Sequence, residues 1–281
     1  MARVALLGLG LLGSGFGEGL LTRGGTDVVV WNRTKAKADP LVAMGATVAN
    51  SPAEAVVGVE RVHLVLLDDD TVDATIEEFM HALDPATIIV DHTTTRPDRT
   101  AARAAALDKD GFQYLHAPVM MGPGAARLAT GMMLVAGPNE RVARVREALA
   151  AMTGELWHVG ERPDLAAVYK LCGNATILPL VGIVAEVLRI ADASGVDRTG
   201  AFEMISKVNL NASLAMRGSM MVSQNFDPHF TLNVARKDLR LMLETTGTLP
   251  MPMLRALAME MDELIGAGKG ERDVAVVGAS A

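Results

Sequence analysis

Short apolar runs rich in Val, Ile and Leu alternate with alanine-rich and charged segments through the first 160 residues of the chain. "RVALLGLG" (Arg3 to Gly10), "DVVVW" (Asp27 to Trp31), "RVHLVLL" (Arg61 to Leu67) and "TIIVDH" (Thr87 to His92) read as strands buried on both faces of a parallel sheet. "TKAKADPLVAMG" and "RPDRTAARAAALDKDG" between them suit helices closed by glycine. "FQYLHA", "MMLVAG" and "ELWHVG" are further strand candidates, the last ending at Gly160. The alternation predicts an α/β, doubly wound, Rossmann-type N-terminal domain over residues 1–162. Beyond "GERPD" the apolar spacing turns helical and β-branched clusters disappear, which predicts an all-α C-terminal domain over 163–281. Nine of the 17 methionines lie between Met204 and Met261, where they read as flexible filler between helices. The stretch "GKGERDVAVVGASA" at the C-terminus is expected to be a partly ordered tail.

A chain of 281 residues, half of them hydrophobic, can bury the cores of two domains. Its net charge of -7 offers no basic face for nucleic acid, so a small molecule is the expected partner. Cys172 is the single cysteine, and the N-terminus runs straight into a strand pattern, so the expectation is a cytoplasmic protein. The most apolar stretch, Leu171 to Ala193, contains Asn174, Pro179, Glu186, Arg189 and Asp192. It is expected to be a core helix and not a membrane span. No metal site is expected.

Candidate chemistry begins at Gly8, Gly10 and Gly13, whose GxGxxG spacing follows the first strand and opens a helix. In that context the glycines bring backbone amides of Gly8, Leu9, Gly10, Leu11, Leu12 and Gly13 against a dinucleotide pyrophosphate. An NAD site usually places Asp or Glu at the end of the second strand, whereas this chain has Asn32, Arg33, Thr34 and Lys35. Arg33 can pair with a 2'-phosphate, with Asn32 and Thr34 as donors, which favours NADP(H) over NAD. The alternative for Arg33 is a solvated surface charge.

Taken together, these segments resemble the β-hydroxyacid dehydrogenase family, which includes 3-hydroxyisobutyrate dehydrogenase and is related to the imine reductases. "LLDDDTV" lies where the family has a loop over the cofactor, bringing in Leu66 and Leu67, and "DHTTTRP" resembles a segment whose Thr93 and Thr94 would touch the nicotinamide side. "HAPVMMGPG" resembles the family's substrate loop, which implies substrate contacts from Met120, Met121 and Gly122, and "YKLCGN" resembles its catalytic helix, which implies Lys170 and Asn174 as catalytic residues. In "KDL", the resemblance implies that Lys237 reaches the cofactor or substrate and that Asp238 fixes its helix; the alternative is a surface ion pair. Phe226, Pro228 and Phe230 are expected to pack the turn before that helix. His116 stands where the family usually has an acid and is expected to be a hydrogen-bonded structural residue. The resemblance also implies a homodimer, with the active site between the domains.

The chemistry fits beside the resemblance. Hydride transfer to a carbonyl develops negative charge on oxygen, which a cationic donor such as Lys170 can stabilise and protonate. Asn174, four residues on, shares its helical face and can orient substrate or lysine. By residue type alone such a pair would be a solvated face; the flanking Leu171, Cys172, Ile177 and Leu178 imply a largely buried helix, and the family resemblance then favours acid and anchor. Met120 and Met121 depart from the serine and glycine usual in the loop, and a thioether cannot donate to a carboxylate. A carbonyl substrate less polar than a small 3-hydroxy acid is therefore expected, with NADPH-dependent imine reduction as the alternative. A non-catalytic NADP-binding sensor is the third reading.

Overall fold

The computed structural model describes residues 2–280. Its contacts divide the chain into two compact units, Met1–Asn174 and Ala175–Ala281. In the first, β1 (Ala2–Leu7), α1 (Leu11–Arg23), β2 (Thr26–Trp31), α2 (Asp39–Ala43), β3 (Thr47–Val48), α3 (Pro52–Ala55), β4 (Arg61–Leu64) and α4 (Asp69–Phe79) are followed by β5 (Ile88–Asp91), α5 (Pro97–Lys109) and β6 (Gln113–His116). Then come β7 (Val119–Met120), α6 (Pro123–Leu128), β8 (Met132–Ala136), α7 (Asn139–Ala150) and β9 (Glu155–Gly160). Strands β3–β2–β1–β4–β5–β6 form a parallel sheet in that order, β8 pairs antiparallel with β6 and β7, and β9 pairs parallel with β8. This is the expected doubly wound α/β architecture.

The two faces of the sheet fill by strand alternation. Val4 and Leu6 of β1 join Phe16 and Leu20 of α1 in one core, while Ala5 and Leu7 join Val72, Ile76 and Phe79 of α4 in the other. Burial on both faces is why these strands read as continuous apolar runs. The segment from Thr34 splits into a 3-10 turn at Lys35–Ala38 and the short α2, and the two-residue strands β3 and β7 carry too few residues to show a period.

The long helix α8 (Leu165–Ala193) crosses the division between the units, so Lys170 and Asn174 belong with the first. The second continues with α9 (Arg198–Ser206), α10 (Leu210–Ser223), α11 (Leu232–Thr246) and α12 (Pro252–Gly266). Its core gathers Phe226, Leu232, Leu239 and Met261, with Phe230 packed against them and Pro228 exposed on the turn. The expectation of a core helix from Leu171 to Ala193 needs correction: Ile177, Leu178 and Val181 are at least half exposed in the single chain. By length and a mean hydropathy of 1.8, α8 could cross a membrane. Its buried Glu186, however, caps the N-terminus of α12, accepting from the backbone N–H of Met253 and Leu254 at 2.8 and 3.0 Å.

The C-terminal stretch also departs from expectation, because residues 274–278 form a 3-10 turn with Ala275 and Val276 in the helical core. Asp273 is the reason. Fully buried, it accepts from the N–H groups of His229 and Phe230 at 3.0 and 2.9 Å and of Ala275 at 2.9 Å, with Arg217 Nε 3.6 Å away. Burial alone would push its carboxyl up, but these donors hold it below its ordinary value. A depressed folded pKa contributes stability above the unfolded value and loses it as pH falls through the folded one. Asp273→Ala is expected to lower unfolding free energy by about 3 kcal/mol, read as a reduced denaturant midpoint at unchanged m-value, and a loss under about 0.5 kcal/mol would contradict this role.

Candidate active site

The chain turns from β1 into α1 through a loop that demands glycine. Gly8 has φ +99°, and a Cβ there would stand 2.2 Å from the Val65 carbonyl oxygen. A Cβ on Gly13 would stand 2.0 Å from the Gly8 oxygen, while one on Gly10 would meet nothing within 4 Å. The loop is closed on its inner side and open at Gly10. Gly10 is the N-cap of α1 without a side-chain cap, so the first-turn N–H groups of Leu11, Leu12 and Gly13 lack intrahelical acceptors. An open, uncapped helix start of this kind fits a pyrophosphate, with the helix dipole favouring its charge. Leu9 is buried in the core, Leu12 packs against it, and Leu11 is exposed.

At the end of β2, Asn32 has a different task from the one its type suggested. Its Oδ1 accepts from the Leu9 N–H at 2.9 Å, and its Nδ2 donates to the Thr34 carbonyl at 3.0 Å. Its oxygen thus holds the glycine loop against the second strand while its amide nitrogen braces its own turn, and Arg33 and Thr34 beside it are exposed. Lys35 is anchored by Asn50 Oδ1 at 2.9 Å.

A second tier links the loops after β4 and β5. The Leu66 N–H donates to Thr93 Oγ1 at 3.0 Å, and the Thr93 N–H donates to Asp91 Oδ1 at 2.9 Å. The other oxygen of Asp91 accepts from Tyr114 Oη at 2.8 Å. Asp69 ties the same loops, accepting from the Arg96 N–H and from Arg103, both at 2.9 Å. Thr93 is thus buried, whereas Thr94 and Leu67 are exposed. His116 is fully buried, and burial lowers its pKa. Since a carbonyl can only accept, His116 Nε2–H donates to Thr93 O at 2.9 Å and leaves Nδ1 without a proton. That is a structural role, as expected.

Lys170 is half-buried on α8 and donates from Nζ to the Val119 carbonyl of β7 at 2.8 Å, with Met120 Sδ at 3.6 Å. Burial lowers its pKa. Gly173, one turn along, leaves the space that Met120 fills, for a Cβ there would lie 2.7 Å from Met120 Cε. The two methionines therefore separate. Met120 lies against the Lys170 face of α8, and Met121 packs over Gly131 toward the sheet core. Gly122 is exposed as the N-cap of α6, and Asn174 is partly buried one turn beyond Lys170. In the second unit, Lys237 Nζ pairs with Asp238 Oδ1 at 2.5 Å on an exposed stretch of α11.

A family described as the NAD binding domain of 6-phosphogluconate dehydrogenase matches residues 3–160, and one described as NAD-binding of NADP-dependent 3-hydroxyisobutyrate dehydrogenase matches residues 165–279. The chain belongs to the β-hydroxyacid dehydrogenase family. It is similar to an uncharacterised oxidoreductase of Bacillus subtilis (strain 168), 26% identical over 98% of each chain. It is also similar to the 3-sulfolactaldehyde reductase of Escherichia coli (strain K12), 27% identical over 97% of this chain and 93% of that one. In fold it matches the imine reductase of Myxococcus stipitatus in complex with NADP+, with a TM-score of 0.90 at 23% identity over 99% and 98% of the two chains. This dehydrogenase-family chain is accordingly an NAD(P)-dependent oxidoreductase.

The residues that sequence patterns missed in this family member are the supports: Asp91, Tyr114, Arg103, Asp69 and Gly173. One signal was present, a carboxylate inside the apolar run "TIIVDH" that a buried strand keeps only when it is hydrogen-bonded. The clamp at Asn32 is open to test. Asn32→Leu should weaken NAD(P)H binding about tenfold in a fluorescence titration while leaving the fold intact, and unchanged affinity would show that the glycine loop needs no support.

Proposed function

We propose that this chain is an NADP(H)-dependent reductase that transfers hydride between nicotinamide and a carbonyl or alcohol substrate less polar than a small 3-hydroxy acid, with Lys170 as proton donor. The observation that carries this reading is the company Lys170 keeps. Its Nζ meets a backbone carbonyl and a thioether, and among the described residues no carboxylate pairs with it. A carboxylate would hold the proton and raise the pKa, whereas burial against neutral groups lowers it and makes the proton easier to give. When bound, the nicotinamide supplies or accepts the hydride. Lys170 then stabilises charge developing on the substrate oxygen and protonates it. Asn174 orients the substrate or the lysine from the same helical face. Met120 beside Lys170 offers no donor to a carboxylate and so disfavours acidic substrates.

Arg33, exposed at the end of β2, supports NADP(H) over NAD, because a guanidinium pairs with a 2'-phosphate. Residues 1–162 serve cofactor binding, with Lys237 added from the helical part, and residues 163–281 serve substrate binding and dimer formation. The exposed apolar middle of α8 suits coverage by a second copy of the chain, and the buried Glu186 further along the helix suits a cytoplasmic protein better than a membrane span. The second reading is an NADPH-dependent imine reductase. It is favoured by the same thioether wall, which suits a cyclic imine as well as an aldehyde.

NADPH and NADH oxidation measured against short semialdehydes, hydrophobic aldehydes and cyclic imines decides among these. Turnover is expected with hydrophobic aldehydes and NADPH; turnover confined to imines would replace the first reading by the second. Lys170→Ala should lower kcat by about 10²- to 10⁴-fold while changing the NADPH dissociation constant by less than about threefold, and undiminished kcat would remove Lys170 from the chemistry.

A further inference from the structure

Two recesses, of about 390 and about 460 Å³, open at the edge of the sheet where the parallel strands begin, opposite the glycine loop. Both are lined by Glu60, Arg61 and Arg144, and Arg23 joins the larger. Arg61 is 7% exposed. A guanidinium buried to that degree normally rests against a carboxylate, because an uncompensated buried charge is costly. Here the nearest carboxylate oxygen among the described residues, on Glu60, is 4.0 Å away from NH1, and the Glu60 side chain is 62% exposed. Burial lowers the pKa of Arg61, as expected for a cation short of compensation.

What holds Arg61 is a chain of neutral groups. Burial pushes His63 well below its ordinary value and His92 to about 4, so both rings are uncharged at neutral pH. His92 Nδ1–H must donate to the Ala117 carbonyl at 2.7 Å, because that oxygen can only accept. His92 Nε2 then accepts from His63 Nδ1–H at 2.9 Å, and His63 Nε2 accepts from Arg61 Nε–H at 3.1 Å. The stacked rings, 5.2 Å apart, fix the inner edge of the guanidinium without neutralising it.

We propose that the recess at Arg61 is a binding site for a small oxyanion, the phosphate or carboxylate head of a metabolite distinct from the substrate. Arg61 forms its buried floor; Arg144 stands at the side of both recesses, held by the Gln113 side-chain oxygen and the Ala86 carbonyl, and Arg23 stands at the larger one, donating to the Arg127 carbonyl at 3.2 Å. The carboxylates that face it, Glu60, Asp84 and Glu147, are all exposed, and Asp84 is engaged by the Ala86 N–H at 2.8 Å. The one buried charge is thus that of Arg61, while the rim carboxylates, like Arg144 and Arg23, are exposed to water. The ligand's remaining body is neutral or cationic, since a second negative group would meet those rim carboxylates.

The test uses the full chain with its nucleotide site saturated by NADP+, so that phosphate cannot respond there. Inorganic phosphate, acetate and glycine are titrated separately, followed by calorimetry and by the imidazole ¹⁵N resonances of His63 and His92, which contact Arg61 directly or through one ring. At least one probe is expected to bind saturably in about the millimolar range and to shift the His63 resonance, with binding weakened about tenfold or more in Arg61→Gln. A response to phosphate alone or to the carboxylates alone identifies the head group. Should Arg61→Gln fail to fold, the double replacement Arg144→Gln and Arg23→Gln must weaken binding about tenfold. No saturable response to any probe, or binding that survives these replacements, would overturn the proposal.

Discussion

A lysine ammonium resting on the carbonyl of a two-residue strand is the contact on which the candidate site depends. Val119 is buried and paired to Met133 across the antiparallel junction of β7 and β8, so the carbonyl that receives Lys170 is fixed by the sheet. The carbonyl supplies a hydrogen bond without the opposite charge that would fix the proton on the lysine. Met120 follows Val119 directly and reaches the same ammonium, so one short strand sets both the surroundings of Lys170 and the apolar wall beside it.

Around that contact the molecule uses backbone and buried polar groups as supports. Asn32 locks the glycine loop to the second strand, and Thr93 and Asp69 join the loops that follow β4 and β5. The ties after β4 and β5 run through the buried carboxylates of Asp69 and Asp91, each oxygen of which accepts a hydrogen bond, which is how a parallel sheet tolerates charge at its carboxyl edge. Gly173 belongs with them. Its missing side chain admits Met120 to the Lys170 face of the helix.

Much of this was legible in the sequence wherever burial imposed a period. The parallel strands were visible as unbroken apolar runs, and GxGxxG, "NRT" and "YKLCGN" supplied the candidate residues of the proposed site. What was not legible rests on contacts remote in sequence. Strands β3 and β7 are too short for a period, and the C-terminal stretch looked like a tail because a single buried aspartate, Asp273, fastens it. Asn32 was read by type as a phosphate donor, yet the position of Leu9 decides its role. Met120 and Met121 looked equivalent until the turn at Gly131 drew the second into the core. The apolar length of α8 suggested a core helix, because composition reports that a face avoids water but not what covers it.

The proposed role of Lys170 as an acid rests on surroundings that are neutral and partly buried. The most direct measurement is the pH dependence of kcat/KM for NADPH-driven reduction. Lys170 must be protonated to act, and its pKa is lowered by burial, so activity is expected to fall as pH rises through a value below the ordinary lysine range. That alkaline limb should vanish in Lys170→Met, which keeps the packing and removes the proton. A limb that persists unchanged in the variant, or activity still level at the ordinary lysine pKa of about 10.4, would contradict the account.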